Sequence, residues 1–114
     1  MQLTAEQPYR IESLDGRRAV LRFNPITLHE RTTEHEEETK ALVRSKSTVA
    51  CDVSEATVST RWIRWLVVLS LEARNSGKVF TIVGADSVFE TAADVIGVRD
   101  TLDFAGSVEE VWDR

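Results

Sequence analysis

The sequence predicts an α/β fold, a mixed sheet of about four to five strands led by an antiparallel hairpin and covered by about four helices. Three observations predict it. Two alternating runs, "YRIES" and "RAVLRF", flank "LDGRR", and Asp15-Gly16 between such runs is a strong hairpin signal. Beyond the hairpin, apolar strand-like runs alternate with amphipathic patterns, as expected where helices pack on a sheet. Finally, 114 residues with 42% hydrophobic and 29% charged side chains suit one folded unit, so residues 1–114 are read as a single domain.

After the hairpin, Asn24-Pro25 breaks the chain, and "LHERTTEHEEETKALVR" over 28–44 reads as a polar helix with thin apolar content in Leu28, Ala41, Leu42 and Val43. In "STVACDVS", Val49, Cys51 and Val53 alternate against Ala50 and Asp52, the pattern of a short buried strand. Residues 59–76 form the main helix, ended by "NSGK", where Gly77 can take the left-handed conformation of a helix terminus. "KVFTIVG" is an apolar strand. "ADSVFETAADVIG" is a second amphipathic helix, with Ser87 at its N-cap, Val88, Phe89, Ala92, Val95 and Ile96 at helical spacing, and Gly97 as its stop. A short strand at 101–104 and a closing helix "SVEEVW", opened by the Ser107-x-x-Glu110 capping box, complete the chain.

The net charge of −5 opposes non-specific attraction to nucleic acid or anionic lipid. There is no apolar stretch of membrane-spanning length, and "MQLTAEQPYR" lacks the basic-then-apolar pattern of a secretion signal. The lone Cys51 cannot form an internal disulfide and reads as a core thiol, which points to the cytoplasm.

The stretch "VSTRWIRWLVVLS" carries the candidate site. At about 100° per residue, Ile63, Leu66, Leu69, Ser70 and Ala73 share one face with Trp62 on its flank, which is the core-facing stripe. Arg61, Arg64, Trp65, Val68, Leu71 and Glu72 fall outside that stripe. A covered tryptophan hides about 150–250 Å². Trp65 beside Val68 and Leu71 therefore marks either a contact patch for a partner or a helix covered on two sides. Ser59 and Thr60 stand where the helix begins. One hydroxyl is accounted for as an N-cap. The other reading is a phosphorylation switch: a phosphate brings about −1.5 to −2 charges, which a helix N-terminus tolerates and a docked partner does not.

No catalytic set can be drawn. His29 and His35, among Glu30, Glu34, Glu36, Glu37 and Glu38, are six residues apart and do not match the two-histidine zinc-helix spacing, so the run reads as a solvated charged helix and no metal is expected. The "VGADS" loop has no glycine-rich phosphate cradle, and capping is the role assigned to Ser87. An enzyme is not expected, nor any cofactor.

The element order, together with "VACDVSEATV", "LEARNSGKVFTIVG" and "VIGVRDTLDFAGSVEEVW", resembles the STAS domain, the fold of bacterial anti-sigma factor antagonists, over about residues 9–112. That family carries an Asp-Ser-Ser/Thr/Ala-Gly-Leu signature after its third strand, and a partner serine kinase phosphorylates the first hydroxyl after the Asp. Counting back from "LEARNSG", Ile63 takes the place of the Leu, Trp62 of the Gly, Arg61 of the second small residue, Thr60 of the phospho-acceptor and Ser59 of the Asp. The loop after "DVSEATV" is then one residue shorter than usual. No Asp precedes the acceptor, Arg61 and Trp62 replace small residues, and threonine replaces serine.

The resemblance implies a non-enzymatic bacterial regulator of transcription. It implies a protein partner, an anti-sigma factor/serine kinase, docking on Arg61, Trp62, Arg64, Trp65 and Val68, with Thr60 or Ser59 as phospho-acceptor. The alternative it implies is a constitutive STAS subunit of a transporter or signalling scaffold, without a switch. A nucleotide or small-ligand sensor is a third reading, and an exposed tryptophan patch would also suit a homodimer.

Overall fold

The computed structural model describes residues 9–23, 33–55 and 60–113. Its hairpin forms where Asp15-Gly16 directs it. β1 (Tyr9–Ser13) pairs antiparallel with β2 (Arg18–Phe23), in a register running from Tyr9 opposite Phe23 to Ser13 opposite Ala19. The turn is closed by the Asp15 side chain, whose Oδ1 accepts the backbone N–H groups of Arg17 at 2.7 Å and Arg18 at 2.8 Å. This is the Asx geometry that makes aspartate a turn residue.

From β2 the chain returns through helices to extend the sheet one strand at a time. α1 (Thr33–Ser45) leads to β3 (Thr48–Asp52), α2 (Thr60–Asn75) to β4 (Val79–Val83), and α3 (Ser87–Val95) to β5 (Phe104–Ala105). The strand order is β1-β2-β3-β4-β5, parallel at every pairing after the hairpin. Each parallel step needs a crossover, and the helix-period patterns of the sequence supply the three.

The two faces of the sheet have different covers. Tyr9, Leu21, Phe23, Val49, Cys51, Phe80 and Ile82 belong to the main core with the buried residues of α1, α2 and α3. Ala50 and Val83, on the opposite face, meet Val111 of the closing helix α4 (Val108–Trp112). Ser107 caps α4, its Oγ accepting the Glu110 N–H at 3.2 Å, and the Glu110 carboxylate reaches back to the Gly106 N–H at 3.0 Å. The capping box is therefore present, with its return bond one residue earlier than the usual pattern.

Several expected details move. The expected polar helix over 28–44 is seen from Thr33 to Ser45, with Leu28 outside the described residues. α3 is capped by Asp86 rather than Ser87, because the Asp86 carboxylate is the group within reach of the Phe89 N–H, at 2.9 Å. Instead of a strand at 101–104, a 3-10 turn occupies Arg99–Thr101 and β5 is confined to the two residues that pair with Ile82 and Val83. The α3 apolar residues also divide: Phe89 is buried while Val88 and Val95 are 64% and 79% exposed.

Candidate functional site

β2, β3 and β4 run in one direction, so their carboxyl ends, the loops that follow β3 and β4, and the starts of α2 and α3 gather at one edge of the sheet. Asp52 closes β3 there. Its Oδ1 accepts the Ser54 N–H at 2.9 Å, and its Oδ2 pairs with the Arg22 guanidinium. Arg22 also holds Glu12 at 3.1 Å, and that hydrogen bond, helped by the guanidinium charge, keeps the Glu12 carboxyl below the usual carboxylate range. Gly84, at φ +80°, ends β4 against the same turn: a Cβ on it would stand 2.9 Å from Ser54 Cβ and 3.2 Å from Asp52 Oδ1. The two loops thus touch, and the glycine permits the contact.

α2 begins at Thr60 beside this junction. Ser59, the neighbouring candidate hydroxyl, lies outside the described residues. The expected core stripe is present, with Ile63, Leu66, Leu69, Ser70 and Ala73 all buried.

Trp62 and Trp65 do not lie on the surface. Trp62 is 2% and Trp65 3% exposed. Trp62 is packed edge-to-face between Phe23 (ring centroids 5.0 Å apart) and Phe89 (5.5 Å). Trp65 meets Phe23 at 5.3 Å and Tyr9 at 5.8 Å, and its indole N–H donates to Thr39 Oγ1 of α1 at 3.0 Å. The physical reason is that α1 lies along this flank of α2, so the buried arc of α2 is wider than the sheet alone would make it. An Arg44–Glu72 ion pair at 3.5 Å joins the same two helices farther along. With Phe89 on Phe104 at 6.0 Å, the rings form a continuous row beneath the α2 start, from β1 to β5. Such edge-to-face pairs each contribute about 0.5–1.5 kcal/mol beyond their burial.

Of the residues outside the core stripe, Arg64 and Leu71 are exposed and Val68 is half-buried, while the Arg61 side chain lies outside the described residues. The first turn of α2 contains no acidic residue, so the positive end of the helix dipole is not offset there. Val88, at the start of α3, displays an apolar side chain on the same edge of the sheet. Cys51 lies in the centre of the sheet, fully buried, and burial followed by the nearby Asp52 carboxylate pushes its thiol pKa well up. A thiol so held is unreactive. Among the described residues, no group of three or more His, Cys, Asp or Glu is placed to hold a metal ion, and no helix is long and apolar enough to cross a membrane.

The signals that could have pointed to Asp52 and Gly84 were present in the sequence. Each ends an apolar run, in "VACD" and "TIVG", and residues at the carboxyl ends of parallel strands are where an open α/β sheet places its sites.

This arrangement is the STAS fold, a five-stranded mixed sheet with four helices. No family model and no curated protein sequence matches the chain. Among solved structures, the unphosphorylated form of the anti-sigma factor antagonist SpoIIAA matches with a TM-score of 0.74 at 11% identity, covering 93% of this chain and 94% of that one. The phosphorylated form of the Bacillus cell fate determinant SpoIIAA matches with a TM-score of 0.70 at 11% identity, over 93% and 97% of the two chains. A substituted RsbS from Moorella thermoacetica matches with a TM-score of 0.77 at 18% identity, over 94% and 93%.

Proposed function

We propose that this protein is a STAS regulator that binds a protein partner, an anti-sigma factor with serine kinase activity, at the edge where α2 and α3 begin. Phosphorylation of Thr60 or Ser59 would release that partner. The reading is supported by the similarity of nearly the whole chain to SpoIIAA, a protein described in both unphosphorylated and phosphorylated forms. The observation that carries it in this chain is the α2 start, which opens at Thr60, has no acidic residue in its first turn and presents Arg64 to solvent. A phosphate there would meet the helix dipole, with the exposed Arg64 one turn farther on, so it can be accommodated without unfolding the domain. A partner seated on the edge would instead meet a new charge it cannot pair.

Of the five residues expected to make the contact, Arg64 and Val68 stay in the proposed interface, Trp62 and Trp65 become its support, and Arg61 is kept from the sequence alone, its side chain lying outside the described residues. Val88 adds exposed apolar surface at this edge. The alternative, a constitutive STAS subunit without a switch, uses the same surface and dispenses with the hydroxyl.

The test is incubation of the protein with the serine kinase anti-sigma factors of its own source, with ATP, followed by phosphopeptide mapping. Trypsin releases residues 47–61 as one peptide carrying both candidate hydroxyls. Phosphate on Thr60 or Ser59, with loss of the complex, supports the switch. Binding that is unchanged by Thr60→Asp and by Ser59→Asp, yet abolished by Arg64→Glu, would sink the switch and leave the constitutive interface.

A further inference from the structure

β1 stands first in the strand order, so it has a strand beside it on one side only. Which of its backbone groups face the open side follows from the ladder. The Leu14 N–H donates to the Arg18 carbonyl at 3.0 Å, and on the other side of β2 the Thr48 N–H donates to the Arg17 carbonyl at 3.0 Å. Bonding directions alternate along an antiparallel strand. Arg10 and Glu12 therefore bond inward, to Arg22 and Val20 of β2. Ile11 between them turns its N–H and C=O outward, where no group among the described residues takes them.

The side chains around that point have a symmetry of their own. Arg10 and Glu12 project on the sheet face that bears Arg22 and Asp52, and Ile11, opposite Leu21, projects on the face of the main core. Leu21 is fully buried, whereas Ile11 is 37% exposed, because the sheet ends beside it. Arg10 lies directly opposite Arg22, a like-charge pair that disfavours the pairing of the strands. One carboxylate, Glu12, serves both guanidiniums, at 3.1 Å from Arg22 and a looser 3.4 Å from Arg10. Arg22 has a second carboxylate in Asp52, while Arg10 has only Glu12 among the described residues.

We propose that β1 is the contact of a two-fold symmetric dimer, in which the β1 of a second copy lies antiparallel beside it with Ile11 at the centre, joining the two sheets into one. In that register Ile11 exchanges both backbone hydrogen bonds with the partner's Ile11. Arg10 falls opposite the partner's Glu12, and Glu12 opposite the partner's Arg10, at the non-hydrogen-bonded positions where side chains stand closest. The two Ile11 side chains cover one another on the core face. A shift that centres the pair on Arg10 or on Glu12 sets like charges opposite, and so does parallel pairing in register, so the charges select this arrangement. Edge strands commonly carry charge to stay single. Opposite charges placed evenly about a central residue do the reverse, since such a strand attracts its own copy. A two-fold axis requires a self-complementary patch of this kind. The contact uses neither Thr60 nor Arg64, so it and the proposed partner surface can fail independently.

The test is sedimentation equilibrium of the full chain over a concentration series, with amide shifts of the isotope-labelled protein recorded over the same series. A monomer–dimer equilibrium is expected, with concentration-dependent shifts centred on Arg10, Ile11 and Glu12. Arg10→Glu and Glu12→Arg should each weaken self-association about tenfold or more, since each turns two attractive pairs into repulsive ones. Mixed together, these two variants should associate with each other, because every charge on one strand then meets its opposite on the other. The double variant Arg10→Glu, Glu12→Arg should dimerise like wild type. It also sets a carboxylate opposite Arg22, which keeps the hairpin paired if either single substitution loosens it. A chain that stays monomeric up to its solubility limit, a dimer unaffected by Arg10→Glu, folded single variants that fail to associate on mixing, or a double variant that stays monomeric overturns the proposal.

Discussion

Replacing Gly84 with alanine tests whether the two loops at the proposed partner edge form one unit. The cost has two parts. Gly84 has φ +80°, and a left-handed backbone costs an L-residue about 1–2 kcal/mol. The new methyl would also stand 2.9 Å from Ser54 Cβ and 3.3 Å from Ser54 Cα. Neither is the tip of a flexible side chain, so backbone must move, which costs about 1–3 kcal/mol. Together these give about 2–5 kcal/mol, a large part of the roughly 5–15 kcal/mol by which a domain of this kind is stable. Gly77 is the control. It has φ +68° and nothing within 4 Å of its would-be Cβ, so Gly77→Ala carries the backbone part alone, about 1–2 kcal/mol. Urea unfolding of the two variants, compared at equal m-values, isolates the contact between the loops. Amide shifts at residues 52–55 should accompany Gly84→Ala and be missing from Gly77→Ala. Equal destabilisation by the two substitutions, with residues 52–55 unmoved in both, would falsify the account of a packed loop junction.

Three further outcomes follow from the core and the hairpin. Thr39→Val removes the acceptor of the buried Trp65 indole N–H, and a buried donor left unpaired costs about 1–3 kcal/mol; urea unfolding of the single and double variants with Trp65→Phe should show the two effects coupled, and strict additivity would rule the bond out as a contributor. Cys51 should resist an aromatic disulfide reagent in the folded protein and react fully in denaturant, whereas rapid labelling of the native state would contradict its burial. Asp15 is held below the usual carboxylate range first by the Arg17 N–H and then by Arg18, as Glu12 is by Arg22. A depressed carboxylate contributes stability that is present above its unfolded pKa of about 4 and is lost as pH falls through the lower folded value. The Glu12→Gln, Asp15→Asn double variant should therefore lose stability less steeply than wild type below about pH 4, and superimposable acid limbs would refute the pairing.

The hairpin and the alternation of strands with helices were legible because each is a local property: Asp15-Gly16 sets its own turn, and each strand or helix announces its period. Directions between helices are not local. Helical spacing placed Trp65 outside the stripe that faces the sheet, whereas its ring packs on Tyr9 of β1 and Phe23 of β2 as well as on α1. What it could not supply is the flank of α1 that covers that side, since α1 declares little apolar surface of its own and receives the indole partly through Thr39, a hydroxyl that reads as polar. α3 failed for a related reason. Val88, Ala92 and Val95 make one apolar seam and Phe89 and Ala93 another, about a third of a turn away, and the sheet takes the seam that carries the large ring. What was legible of the candidate site is a helix start at Thr60 with an exposed Arg64. The Asp52–Gly84 junction beside it was not, because it joins two loops distant in sequence.

The row of rings beneath the α2 start has a bearing on how quickly and how tightly a partner could leave. Backbone presented from a platform locked on both flanks has little freedom left to lose, so the proposed docking would need no ordering step on this side of the interface. Substitution at Val68 should then register mainly as faster departure of the partner with the encounter rate nearly untouched, whereas removing the exposed charge of Arg64 should also change the encounter rate and its salt dependence. A loosened row, as in Trp62→Ala, would shift that balance by making the protein choose its shape anew at every encounter.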